Sequence, residues 1–123
     1  MLLKLMEKKS VIEHLSIQFA IRIINLCKYL KKERHEYEIT KQIYRSGTSI
    51  GANIAESKGA QSDADFISKL SISLKEAFET RYWLLLLHET DTITDVEHDS
   101  LENDVNVIIG TLTNIIKKKK GLG

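Results

Sequence analysis

The side chains in this 123-residue chain that could bind metal or catalyse are four histidines, one cysteine and seventeen carboxylates. A di-iron centre in a helical bundle takes a Glu-x-x-His pair from each of two helices, because that spacing puts both ligands on one face. No such pair occurs. Asp95-x-x-His98 comes nearest, but it is single and sits where a helix begins, a place where acids serve the helix dipole. His14, His35 and His88 have no acid or histidine at a spacing that suggests a metal. Cys27 is the only cysteine, which excludes an internal disulfide and a cysteine-based zinc site and suits a small buried hydrophobe. Gly47-Thr-Ser-Ile-Gly51 lacks the lysine of a Walker loop and follows no strand. The sequence therefore predicts no enzyme, no cofactor and no metal.

Two groups of polar side chains remain. Asn53 and Glu56 lie one helical turn apart, as do Glu76 and Glu79, in stretches that otherwise read as buried. Antiparallel packing would bring Lys69, Lys75 or Arg45 within reach, and an unpartnered buried carboxylate is too costly to keep ionised. These residues are either a proton-handling pair or a hydrogen-bonded network that sets helix register or subunit contacts. Lysines form the other group. Lys8, Lys9, Lys58, Lys117, Lys118, Lys119 and Lys120 gather at one pole of an antiparallel bundle, diluted by Glu7, Glu56, Asp63 and Asp65. Such a cluster could contact phosphates with a salt-dependent affinity, or serve only as dipole complement and solubilising tail.

Four helical segments must position these groups. The first opens on a capping box, Ser10 with Glu13, and carries Ile12, Leu15, Phe19, Ile23, Leu26 and Leu30 at three- and four-residue steps. The second has a stripe of Ile39, Ile43, Ile50 and Ile54 beside the small residues Ser46, Gly47, Ser49, Gly51, Ala52 and Ala55. Glycine inside a helix costs about 1 kcal/mol against alanine, so the spacing predicts close approach of a neighbouring helix. Ser62 with Asp65 opens the third as a second capping box, and its seam is Phe66, Leu70, Ser73, Ala77, Leu84 and Leu87. A polar connection from Glu89 to Ile93 leads to Thr94 with Glu97, capping a helix seamed by Leu101, Val105, Ile108, Leu112 and Ile115. The helices span about 10–33, 36–58, 62–89 and 94–119 in one domain, 1–123. Short connections make neighbours antiparallel, giving an all-α, up-down-up-down four-helix bundle.

Tyr82, Trp83, Leu84, Leu85, Leu86 and Leu87 run consecutively and so point around the whole helix circumference. A bundle interior takes about three positions in seven. Ile17, Ile21 and Ile24 form a second stripe on the first helix. Tyr82, Trp83 and Leu86 with these three isoleucines therefore predict a homo-oligomer interface, unless the N-terminal arm covers them. A net charge of +1 gives no global drive onto nucleic acid, so any such binding rests on local clustering. No apolar run reaches membrane-spanning length and Met1 to Met6 is too short for a signal-peptide core, which predicts a cytoplasmic protein away from membranes.

The stretch Gln42-Ile-Tyr-Arg45-Ser46, then Ser49-Ile50, Asn53-Ile54-Ala55-Glu56, and later Asp65-Phe66, Leu70, Ser73 and Glu76, resembles a bacterial family. It is the four-helix-bundle family of proteins encoded in 23S ribosomal RNA intervening sequences, also called S23 ribosomal protein. The resemblance covers about residues 10–118. Its most specific part is Ser49 to Glu56, where the family reads Ser-Ile-Pro-Ala-Asn-Ile-Ala-Glu-Gly. Gly51 replaces the proline and Ser57 the glycine, which removes the family's kink-former from the second helix. The resemblance implies a non-enzymatic, ring-shaped homopentamer. Similar accessory proteins of diversity-generating retroelements bind RNA and a reverse transcriptase. Together these point to a non-catalytic oligomeric bundle binding structured RNA through its lysines, or else to a protein-interaction scaffold.

Overall fold

A computed structural model describes residues 10–121. Four helices account for nearly all of them: α1 (Val11–Glu33), α2 (Glu38–Ser57), α3 (Asp63–Glu89) and α4 (Asp95–Lys119), with no strand among the described residues. Each helix packs on its neighbour in sequence, and α4 returns to touch α1 more lightly. The helices thus form a four-membered bundle in which α1 and α3 occupy diagonal corners, as do α2 and α4.

Local chemistry sets the ends. Ser10 and Glu13 form a reciprocal capping box, and so do Thr94 and Glu97. At α3 the expected box is only half made. Ser62 accepts from the Asp65 backbone N–H, but the Asp65 carboxylate turns back to accept from the Gln61 N–H at 3.2 Å. No side chain of Tyr37 caps α2; the Glu36 carboxylate does so instead, accepting from the N–H groups of Ile39 and Thr40 at 3.0 and 2.7 Å. One pole of the bundle holds the α1–α2 and α3–α4 connections. There Arg34 donates to the carbonyl oxygens of Thr92 and Asp91 at 2.7 and 3.1 Å, tying the connections together. The other pole gathers the starts of α1 and α3 and the ends of α2 and α4.

The core follows the predicted seams with small shifts. Phe19, Ile23, Leu30, Ile43, Ile50, Leu70, Leu84, Leu87, Ile108 and Leu112 are fully buried. Leu15, Ile39, Phe66 and Ile115 are only half-buried, and Ile116 is buried where Ile115 was expected. Ile93 at the end of the connection also enters the core. Gly47 explains the cost of glycine in α2: a Cβ there would stand 2.9 Å from both Cγ1 and Cγ2 of Ile23. Gly51 lies against Ser16 with a little more room. Ala55, the next small residue in the series, is exposed, so the close contact with α1 spans only part of the stripe. With glycine rather than a kink-forming residue at position 51, α2 runs unbroken.

Candidate nucleic-acid interface

Antiparallel packing brings the described lysines of the predicted cluster to one pole. Lys58 closes α2 and Lys117 to Lys119 form the last turn of α4, with Lys120 at its cap. Two of the five are already engaged. Lys58 Nζ lies 3.2 Å from Glu13 Oε2, and Lys119 Nζ lies 3.2 Å from Asp63 Oδ1 and 5.5 Å above the Phe66 ring centroid. The Ser10 backbone N–H bonded to Glu13, with help from Lys58, holds that carboxyl below its ordinary pKa despite partial burial. Lys117, Lys118 and Lys120 are exposed and have no carboxylate within 4.0 Å among the described residues. Lys8 and Lys9 lie outside the described residues, as does Glu7. Of the acids expected to dilute the cluster, Asp63 does so, Asp65 bonds backbone, and Glu56 faces Lys69 of α3 at 3.7 Å. Glu13, used by α1 for its own cap, was not foreseen as the partner of Lys58. Between these helix ends is an apolar cavity of about 490 Å³ lined by Ile54, Phe66, Leu70 and Ile115.

The amide and carboxylate residues turn out differently from one another. Asn53 donates to the Ser49 carbonyl and Ser49 to the Arg45 carbonyl, at 2.9 and 2.6 Å, so both bond within their own helix. Glu56, Glu79 and Arg45 are exposed, against the expectation of a buried stretch, because α2 and α3 meet one face further round. Glu76 is half-buried; desolvation and then the Glu79 charge raise its pKa, opposed by Arg45 and Lys75. The cross-helix hydrogen bonds belong to neutral hydroxyls. Thr80 bonds the fully buried Ser46 at 2.8 Å, and Ser73 donates to the Ile50 carbonyl at 2.8 Å. Thr80 was missed by sequence, although its steps of three from Ala77 and four to Leu84 placed it on the seam.

Packing divides the apolar run of α3. Leu84 and Leu87 are buried, Trp83 and Leu86 half-buried, and Tyr82 and Leu85 exposed. Phe78, Tyr82 and Leu85, at i, i+4 and i+7, share the outer face. Ile17 and Ile21 are exposed on α1, Ile21 to 52%, while Ile24 is half-buried. The Trp83 indole N–H is buried and has no acceptor among the described residues.

Two histidines that spacing kept apart meet beside the α3–α4 connection. His88 and His98 stack with ring centroids 4.4 Å apart. Asp95 bonds His88 Nε2 at 2.6 Å rather than pairing with His98, and that bond raises the His88 pKa. No group of three or more His, Cys, Asp or Glu among the described residues is arranged to hold a metal. None of the described helices is long and apolar enough to cross a membrane.

The family model for the 23S rRNA-intervening sequence protein matches residues 8–114. A crystal structure of a protein of unknown function from the S23 ribosomal protein family of Bacteroides thetaiotaomicron is 54% identical, with a TM-score of 0.86. The match covers 87% of this chain and 99% of that one. No curated protein matches the chain.

Proposed function

Since the chain belongs to the 23S rRNA-intervening sequence protein family, we propose that it is a non-catalytic, cytoplasmic, ring-forming homo-oligomer that binds structured RNA through its lysine-rich pole. The observation that carries the assembly is the pair of unlike apolar patches on diagonal corners of the bundle. Ile17 and Ile21 lie on α1; Phe78, Tyr82 and Leu85 lie on α3. Unlike patches on opposed corners suit a head-to-tail contact, and such contacts close into a ring when the rotation permits. Five members of the ring would be the number implied by the family resemblance. Repeating Lys117, Lys118 and Lys120 around it would multiply phosphate contacts without raising the charge of one subunit.

The test is solution mass together with binding to a labelled, structured RNA at low and moderate salt. The expected result is an oligomer whose affinity falls steeply with salt and weakens when Lys117, Lys118 and Lys120 become glutamate. A monomer in solution, or RNA binding untouched by those changes, overturns the proposal. A protein-interaction scaffold is favoured instead by the +1 net charge and by the ion pairs of Lys58 and Lys119. Partner capture that survives nuclease, with no RNA binding at low salt, would select that alternative.

A further inference from the structure

At the pole opposite the terminal lysines, α1 and α2 diverge around a cleft of about 410 Å³. Its walls are two helical stripes. Ile24, Lys28 and Lys31 come from α1; Tyr37, Lys41 and Tyr44 come from the start of α2, at i, i+4 and i+7. Cys27 and Thr40 close the floor, both buried, with the Cys27 thiol donating to the Thr40 carbonyl at 3.6 Å. Burial pushes that thiol up to about 11, so the floor carries no thiolate charge at neutral pH.

The side chains above this neutral floor are of two kinds. Lys28, Lys31 and Lys41 are exposed, and none has a carboxylate within 4.0 Å among the described residues, unlike Lys58 and Lys119 across the molecule. Glu36 is the acid whose charge reaches Cys27, and it is occupied by the backbone N–H groups of Ile39 and Thr40. Those bonds also occupy two N–H groups of the first turn of α2, and above them the lysines remain to attract an anion. Tyr37 and Tyr44 are 56% and 46% exposed, so their rings remain open to stack on a planar group.

We propose that this cleft receives an unpaired nucleotide of a single-stranded polynucleotide, its base stacked on Tyr44 or Tyr37 and its phosphates held by Lys28, Lys31 and Lys41. Lysines interleaved with exposed aromatic rings are the arrangement that binds single strands, because every base offers a face to stack and every linkage a negative charge. A duplex keeps its bases stacked inside and cannot use the tyrosines. The inference extends the RNA-binding proposal to a second surface, and it stands or falls separately from the lysine pole.

The experiment titrates the full chain into labelled oligouridylate at low salt, with the same sequence as a duplex for comparison. Tyr44→Ala is expected to weaken single-strand binding about tenfold, while Tyr44→Phe, which keeps the ring, retains it. Lys28→Glu with Lys41→Glu should lower the slope of log affinity against log salt by about 1.4. A thiouridine-substituted strand should photo-crosslink to peptides containing Tyr37 or Tyr44 in the unaltered protein, a measurement that needs no variant to fold. Crosslinks confined to Lys117–Lys120, or cleft variants that bind oligouridylate like the parent, overturn the cleft and leave the lysine-pole proposal intact. Failure of oligouridylate to bind at all also overturns it, whereas failure of structured RNA to respond to the terminal lysines overturns only the earlier proposal.

Discussion

Thr80 and Ser46 join α2 to α3 through neutral hydroxyls buried to zero exposure. Replacing Thr80 by valine keeps the shape and removes the partner, leaving Ser46 only the Ile43 carbonyl at 3.5 Å. The expected loss is about 1–2 kcal/mol of stability, measured by urea unfolding. His88 belongs to the same scale. Its folded pKa is raised above 6.5, first by the hydrogen bond its ring donates to the Asp95 carboxylate. Its contribution is therefore fully present below the unfolded pKa and is lost as pH rises through the folded one. Stability should fall as the pH climbs above about 6.5, and Asp95→Asn should flatten that dependence in thermal melts compared across pH. A slope unchanged in Asp95→Asn would show that another group governs it.

Helix α2 shows how one residue type can be required at one place and wasteful at another. Gly47 admits the Ile23 side chain, so Gly47→Ala drives a methyl into a packed contact at 2.9 Å. The expected penalty is about 1–3 kcal/mol. Gly110 in α4 is exposed, with nothing within 4 Å of where a Cβ would stand. Gly110→Ala should stabilise by about 1 kcal/mol, since only the backbone entropy of glycine is removed. Denaturant midpoints that move the same way for both variants would contradict the packing account of α2.

For the whole molecule, a head-to-tail assembly through unlike patches makes a prediction that a two-fold contact does not. Ile21→Asp should disable one side of the interface and Tyr82→Asp the other, each giving a monomer. Mixing the two monomers leaves one intact pairing, so their masses should combine into a heterodimer and stop there. Should the mixture remain monomeric, the patches do not face each other. The near-neutral net charge of +1 acts at this scale too, because it makes any attraction for nucleic acid depend on how the lysines are distributed.

Short-range pattern made much of this protein readable in advance. The caps at Ser10 and Thr94, the seams through Ile23, Ile43 and Leu84, and the family likeness at Ser49 to Glu56 are all encoded within a few residues of themselves. Helical periodicity repeats every 3.6 residues, so a window of one or two turns contains it. Contacts between helices obey no such local rule. The Lys58–Glu13 pair spans 45 positions, the His88–His98 stack forms across a connection, and the cleft over Cys27 needs the end of one helix beside the start of the next. Tertiary packing alone decided which lysines were neutralised and which tyrosines stayed open, because electrostatic and stacking partners are chosen by distance in space.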